Sequence, residues 1–185
     1  MTELNRCAWA VGDSMVRYHD TEWGRPQHDD QKLYEFLVLE GAQAGLSWST
    51  ILDKREGYRE AFAGFDPRKV AAYTSDDARA LTQNPRIVRN RLKIASAINN
   101  AGRFCDIQEE FGSFDRYIWG LAGGRVINSF GDDERLPAST PASARMSSDL
   151  KRRGFTFVGP VICYAFMQAT GMVNDHTRGC FLHRL

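Results

Sequence analysis

The sequence predicts an all-α protein on three observations. Apolar residues recur at three- and four-residue spacing along most of the chain, short polar residues of the N-cap type precede those runs, and alternating strand-like stretches are scarce. The first strong pattern opens at Asp29 and Asp30 and runs to Ala44, with Leu33, Phe36 and Leu37 on its apolar stripe. Ser47 caps a second, which carries Ile51, Leu52, Tyr58 and Phe62. Two short helices follow, one opening with Asp66-Pro67, a cap and then proline at the first helical position, the other with Thr74-Ser75-Asp76-Asp77. Pro85 opens the longest pattern, through Ile87, Val88, Leu92, Ile94, Ala95 and Ile98 toward Phe104. Ser113-Phe114-Asp115 starts another, which ends near Gly123-Gly124.

Residues 126–140 mix Gly, Asp and Pro and read as a connection with a brief extended piece. Thr140-Pro141 reopens the helical pattern, which stops after Lys151-Arg152-Arg153 at Gly154, a natural left-handed C′ residue. The last helix runs from Pro160 to Gly171. No internal repeat or linker interrupts the order, so the expectation is one domain over residues 1–185, long enough for a substantial core.

The N-terminal stretch MTELNRCAW has no apolar leader and no segment approaches a membrane span, so a cytoplasmic location without membrane contact is expected. In that setting the cysteines at 7, 105, 163 and 180 read as thiols or metal ligands, not disulfides. A net charge of +1 neither announces nor excludes a nucleic-acid binder. The densest basic stretches are Lys151-Arg152-Arg153 and Arg86, Arg89, Arg91 and Lys93, which alone read as solvated helix faces.

Three features carry chemistry. First, in LEGAQAGLSW (39–48) the apolar stripe passes through Glu40, and no Lys or Arg lies between it and Trp48. A carboxylate aimed inward is either satisfied by backbone amides or a distant arginine, or kept for a ligand. Second, GFTFVGP (154–160) is too short to do more than turn one helix into the next. Gly159 permits close backbone approach and Pro160 suits the first helical position. The amides of Val161 and Ile162 are then left without helical partners, which suits an anion such as DNA phosphate beside Lys151 and Arg152. Taken alone, the stretch reads first as an ordinary glycine turn between two helices. Third, Cys7 and His19 near one end, with His176 and Cys180 near the other, make a sufficient donor set for a tetrahedral structural zinc.

Taken in order, RCAW (6–9), YHDTEWG (18–24), LEGAQAGLSW (39–48), FDPRKVA (65–71), IVRNRLKIASAINNA (87–101) and KRRGFTFVGPVICYAFMQATGMVNDH (151–176) closely resemble the bacterial DNA-3-methyladenine glycosylase I family. The resemblance covers nearly the whole chain. It implies a compact helix-hairpin-helix DNA glycosylase fold with one structural zinc joining the N- and C-termini, held by Cys7, His19, His176 and Cys180. It further implies that Glu40 is the carboxylate that recognises the base, that Tyr18 and Trp48 are pocket aromatics, and that Trp9 and Trp23 belong to the same cleft. The implied partner is alkylated double-stranded DNA, met by a monomer that needs no protein partner.

The residue types suit that chemistry. A 3-methylated adenine is cationic in DNA and departs as a neutral base, so the leaving group needs no protonation. The nucleotide must instead be flipped out, held and separated from an oxocarbenium sugar. Aromatic faces bind the flipped base and its charge, and a carboxylate adds the discrimination that stacking lacks. No lysine in these motifs stands as a Schiff-base nucleophile, so a monofunctional enzyme is expected. Asp175 receives no catalytic-base role here and is expected to orient His176. Two other classes fit parts of the pattern: a zinc-stapled DNA-binding module without chemistry, and a small-molecule metalloenzyme.

Overall fold

The structure, a computed structural model, describes residues 4–123, 127–128 and 136–183. Among them nine α-helices carry nearly all the regular structure: α1 (Asp13–Thr21), α2 (Asp30–Gln43), α3 (Trp48–Ala61), α4 (Pro67–Ala71), α5 (Ser75–Leu81), α6 (Arg91–Phe111), α7 (Phe114–Leu121), α8 (Pro141–Arg152) and α9 (Pro160–Ala169). The brief extended piece is β1 (Ile127–Asn128), paired in parallel with β2 (Val173–Asn174). Residues 126 and 129–135 of the 126–140 connection, and Gly124 at the expected end of α7, lie outside the described residues. No helix among those described is long and apolar enough to cross a membrane.

Most helix starts follow side-chain caps. Asp29 accepts from the Lys32 amide, Ser47 from Thr50, Asp66 from Arg68 and Lys69, and Thr74 and Asp77 form a reciprocal capping box. Asp30 instead reaches across to accept from the amides of Phe114 and Asp115 at 2.9 and 2.8 Å, fastening the start of α7 to α2.

Two expectations need correction. The longest helix begins at Arg91 and not Pro85, because Asn90 caps it by accepting from Leu92 and Lys93. Residues 85–90 are irregular, held where the Arg86 carbonyl lies 2.4 Å from the point a Cβ on Gly57 would occupy. The sequence also gave no signal for α1, whose N-cap is Gly12 at φ 84° with no side-chain hydrogen bond.

Helix α2 is the axis of the core. Every residue from Leu33 to Ala42 is buried, so Glu40 is enclosed because the helix is surrounded, not because one stripe faces inward. Tyr34 donates to the Ala97 carbonyl of α6 at 2.9 Å, and Phe104 stacks on Phe114 with centroids 3.9 Å apart.

The turn between α8 and α9 is bound down on both sides. Gly154 sits at φ 86°, and the Phe155 amide donates back to Leu150 at 3.0 Å, a Schellman closure. From α6, Ser96 and Asn100 both donate to the Thr156 carbonyl, Asn100 accepts from the Thr156 amide, and Asn99 donates to Gly154. Ser147 donates to the Val158 carbonyl at 2.6 Å. Phe157, at φ 53°, holds a left-handed conformation that this clamp imposes.

Candidate functional site

A cavity of ≈ 270 Å³ opens where α1, α2, α3 and α9 meet, lined by Trp9, Met15, Tyr18, Trp23, Glu40, Gln43, Trp48, Leu136, Ala165 and Gln168. All five residues marked by sequence for a base pocket lie in its wall. Tyr18 comes from the last turns of α1, Trp23 from the bend after it, Glu40 from α2, and Trp48 from the first position of α3. Tyr18 and Trp48 are 5.3 Å apart, tilted by 51°, and Trp9 meets Trp23 edge-on at 4.9 Å. A larger groove of ≈ 900 Å³ between α5 and α6, lined by Ser75, Arg79 and Leu92 among others, contains none of these residues.

Glu40 is 4 % exposed, and burial pushes the pKa of its carboxyl up to about 8. No cation or donor among the described residues opposes that burial. Tyr18 is raised well above the usual phenol range, first by burial and then by the adjacent Glu40, so it remains a donor at any ordinary pH. The buried Trp48 Nε1 has no acceptor among the described residues. The cavity thus presents apolar rings, one carboxyl without a counter-ion and unused hydrogen-bonding groups, which suits a flat, polar-edged, positively charged guest.

Sequence reasoning missed Met15, Gln43, Leu136, Ala165 and Gln168 in this wall. Their types are common, and nothing local distinguishes them. A second hollow of ≈ 270 Å³ shares Glu40 and Gln43 and is lined by Leu46, Val161 and Ile162. It joins the cavity to the first turn of α9.

At that turn Gly159 is the N-cap and Pro160 occupies the first helical position, as the sequence indicated. The basic run beside it is partly spent. Arg152 pairs with Asp149, and Arg153 pairs with Glu110 while lying 4.9 Å over Phe111 and Tyr117. Lys151 is exposed, with no ion pair among the described residues.

The termini meet behind the pocket. Cys7, His19 and Cys180 are buried with their ligand atoms all within 4.8 Å of one another. The His176 ring adjoins this group 5.0 Å from that of His19, and its buried Nε2 has no partner among the described residues. Burial, reinforced by His19, Arg25 and His183, pushes the His176 pKa down to about 4, so the ring is neutral as a ligand must be. Both imidazoles are held through the other nitrogen: Nδ1 of His19 lies 2.8 Å from Asp20, and Nδ1 of His176 lies 2.8 Å from Asn174. Cys7, His19 and Cys180 thus lie close enough together to bind a metal, with the His176 ring beside them. Asn174, and not Asp175, meets His176 Nδ1; Asp175 accepts from Tyr164 at 2.6 Å and Gln168 at 2.7 Å.

Residues 9–183 match the family model described as methyladenine glycosylase. The chain is 44 % identical over 177 residues to the DNA-3-methyladenine glycosylase of Haemophilus influenzae, covering 95 % of this chain and 96 % of that one. It is 45 % identical over 179 residues to DNA-3-methyladenine glycosylase 1 of Escherichia coli, covering 96 % of each. A crystal structure of 3-methyladenine DNA glycosylase I superposes with TM-score 0.93 at 46 % identity, over 97 % of this chain and 100 % of the other. The Staphylococcus aureus 3-methyladenine DNA glycosylase I, from work on the structural basis of 3-methyladenine recognition, superposes with TM-score 0.91 at 36 % identity over 96 % of each chain.

Proposed function

The chain belongs to the methyladenine glycosylase family, and from that premise we propose that it excises 3-methyladenine from alkylated double-stranded DNA. The lesion nucleotide is flipped into the aromatic cavity, its N-glycosidic bond is hydrolysed, and an abasic site is left on an uncut strand.

The observation that carries this reading is Glu40, a buried carboxyl in the cavity wall that burial alone holds near pKa 8. Without a cation beside it, the carboxyl is largely protonated at neutral pH. A cationic base supplies the missing counter-charge, so its arrival favours ionisation, and the resulting ion pair forms where little water screens it. Neutral adenine brings no charge and gains no such pairing. Tyr18 and Trp48 flank the base, and Trp9 and Trp23 close the back of the cavity. As the glycosidic bond breaks, positive charge moves from base to sugar. The fixed negative charge of Glu40 remains within the enclosed site while it does so.

Phosphate contacts fall to the first turn of α9, at Gly159, Val161 and Ile162, with Lys151 and Arg152 alongside. The α8–turn–α9 unit thereby serves as a helix-hairpin-helix grip on the backbone. Cys7, His19, His176 and Cys180 would hold one zinc, which supplies a structural link between the termini and leaves no open coordination position for chemistry.

The test is to incubate the protein with methylated duplex DNA, separate released bases chromatographically and examine the strand. Free 3-methyladenine, an intact strand and no borohydride-trapped adduct are expected. Folded protein that binds the duplex and releases no base would replace this reading with a DNA-binding module.

A further inference from the structure

Two glutamine side chains reach the cavity, and among the described residues only one of them is anchored. Gln168, on α9, donates its Nε2 to Asp175 Oδ2 at 2.7 Å, and Tyr164, one turn earlier on the same helix, donates to the same oxygen at 2.6 Å. Asp175 is buried at 2 % exposure, so the carboxylate is a fixed acceptor inside the fold. An acceptor takes the NH2 end of an amide and leaves the carbonyl end as the remaining polar atom. The backbone of Gln168 is fixed as well, its carbonyl accepting from the Gly24 amide at 3.0 Å. Gln43, the other glutamine in the wall, has no such anchor among the described residues, and its amide is free to present either end.

We propose that Gln168 is a second base-reading residue, its Oε1 held by Asp175 as an acceptor for the exocyclic amino group of the flipped base beside Glu40. The inference rests on the activity proposed above and extends it. Neutral 3-methyladenine has two N–H bonds, both on that amino group. A wall carrying two acceptors answers both of them, whereas one carboxylate leaves the second unanswered or poorly aligned. A base with a carbonyl oxygen at the same ring position would set that oxygen against the fixed Gln168 Oε1, so this residue also disfavours oxopurines. Asp175 is on this account a positioning residue that acts through Gln168.

The test compares binding of free 3-methyladenine with that of 3-methylpurine, which lacks the amino group, by tryptophan fluorescence and calorimetry. The measured quantity is the ratio of the two dissociation constants within one protein preparation, so a partly unfolded sample cancels. In Gln168→Met the preference for the amino-bearing base falls by about tenfold, the ordinary worth of one neutral hydrogen bond in an enclosed site. Asp175→Asn, which no longer obliges the amide to point one way, lowers the ratio in the same direction. A ratio unchanged in Gln168→Met overturns the inference, and one unchanged in Asp175→Asn alone overturns the positioning role. Failure of the unsubstituted protein to bind 3-methyladenine at all would instead overturn the proposed activity.

Discussion

Glu35 and Glu40 lie on the same buried helix, and among the described residues one is held by three cations while the other meets none. Glu35 is 1 % exposed and accepts from Lys32 at 2.8 Å, Arg55 at 2.7 Å and Arg59 at 2.8 Å; Arg55 in turn grips Glu22 with both terminal nitrogens. Burial alone would raise the Glu35 pKa, but Arg55 and Lys32 outweigh it and hold the carboxyl below its usual range. Glu40 has no such help and stands at about 8. The helix thus contains one structural and one unanswered carboxylate.

Glu35→Gln leaves Arg55 and Arg59 facing a neutral group inside the fold. It is expected to lower stability at pH 7 by roughly 3 kcal/mol, the usual penalty for removing one partner of a buried pair. A urea titration measures the shift. Because the folded-state pKa of Glu35 is depressed, its contribution is present above the unfolded carboxylate pKa and fades as pH falls, so the variant and the parent should converge in acid.

Glu40→Gln should do the opposite. The raised pKa means that between about 4.5 and about 8 the unfolded chain ionises this group while the folded chain keeps it protonated, so the parent loses stability as pH rises through that window. The glutamine variant does not. Its melting temperature should exceed the parent's by a margin that grows from pH 5 to pH 8 and then levels off. A constant margin would show that Glu40 is paired in the free protein.

The proposed metal site predicts about one zinc per chain by elemental analysis of reduced protein. It also predicts that Gly24 cannot be replaced cheaply. A Cβ there would stand 2.6 Å from His176 Cε1, on a residue at φ 75°. Gly24→Ala should cost about 2 kcal/mol or more in a denaturant titration and release zinc more readily to a chelator. Wild-type stability with full metal retention would contradict the arrangement.

Lys151 is the exposed cation of the basic run that no carboxylate holds among the described residues. Lys151→Ala should weaken duplex binding and reduce the slope of log K against log salt by about 1, equally for methylated and plain duplex. Arg152→Ala, which removes a cation already paired with Asp149, should change the slope less.

Helices announced by a side-chain cap were legible: Asp29, Ser47, Asp66, Thr74 and Thr140 each accept the amide that their position implies. Prolines 67, 141 and 160 stand in the first turn of their helices, but Pro85 precedes an irregular segment packed against Gly57. That contact joins residues far apart in sequence, and no local pattern encodes it. Helix α1 was missed because Gly12 offers no cap side chain. The residues brought to the cavity show the same division. Glu40 drew attention because a lone carboxylate among apolar residues is an anomaly in any sequence. Gln168 and Asn174 are ordinary amides whose meaning depends on Asp175 and His176, neighbours whose geometry only the fold supplies.

The most direct measurement is single-turnover release of base from methylated duplex DNA at neutral pH, with the parent and Glu40→Gln side by side. Release of 3-methyladenine with little 7-methylguanine is expected from the parent. In the folded variant it should fall by about 10- to 100-fold, the worth of a charge-assisted hydrogen bond lost from an enclosed site. Undiminished release by the variant would contradict the assignment of Glu40 as the group that reads the cationic base.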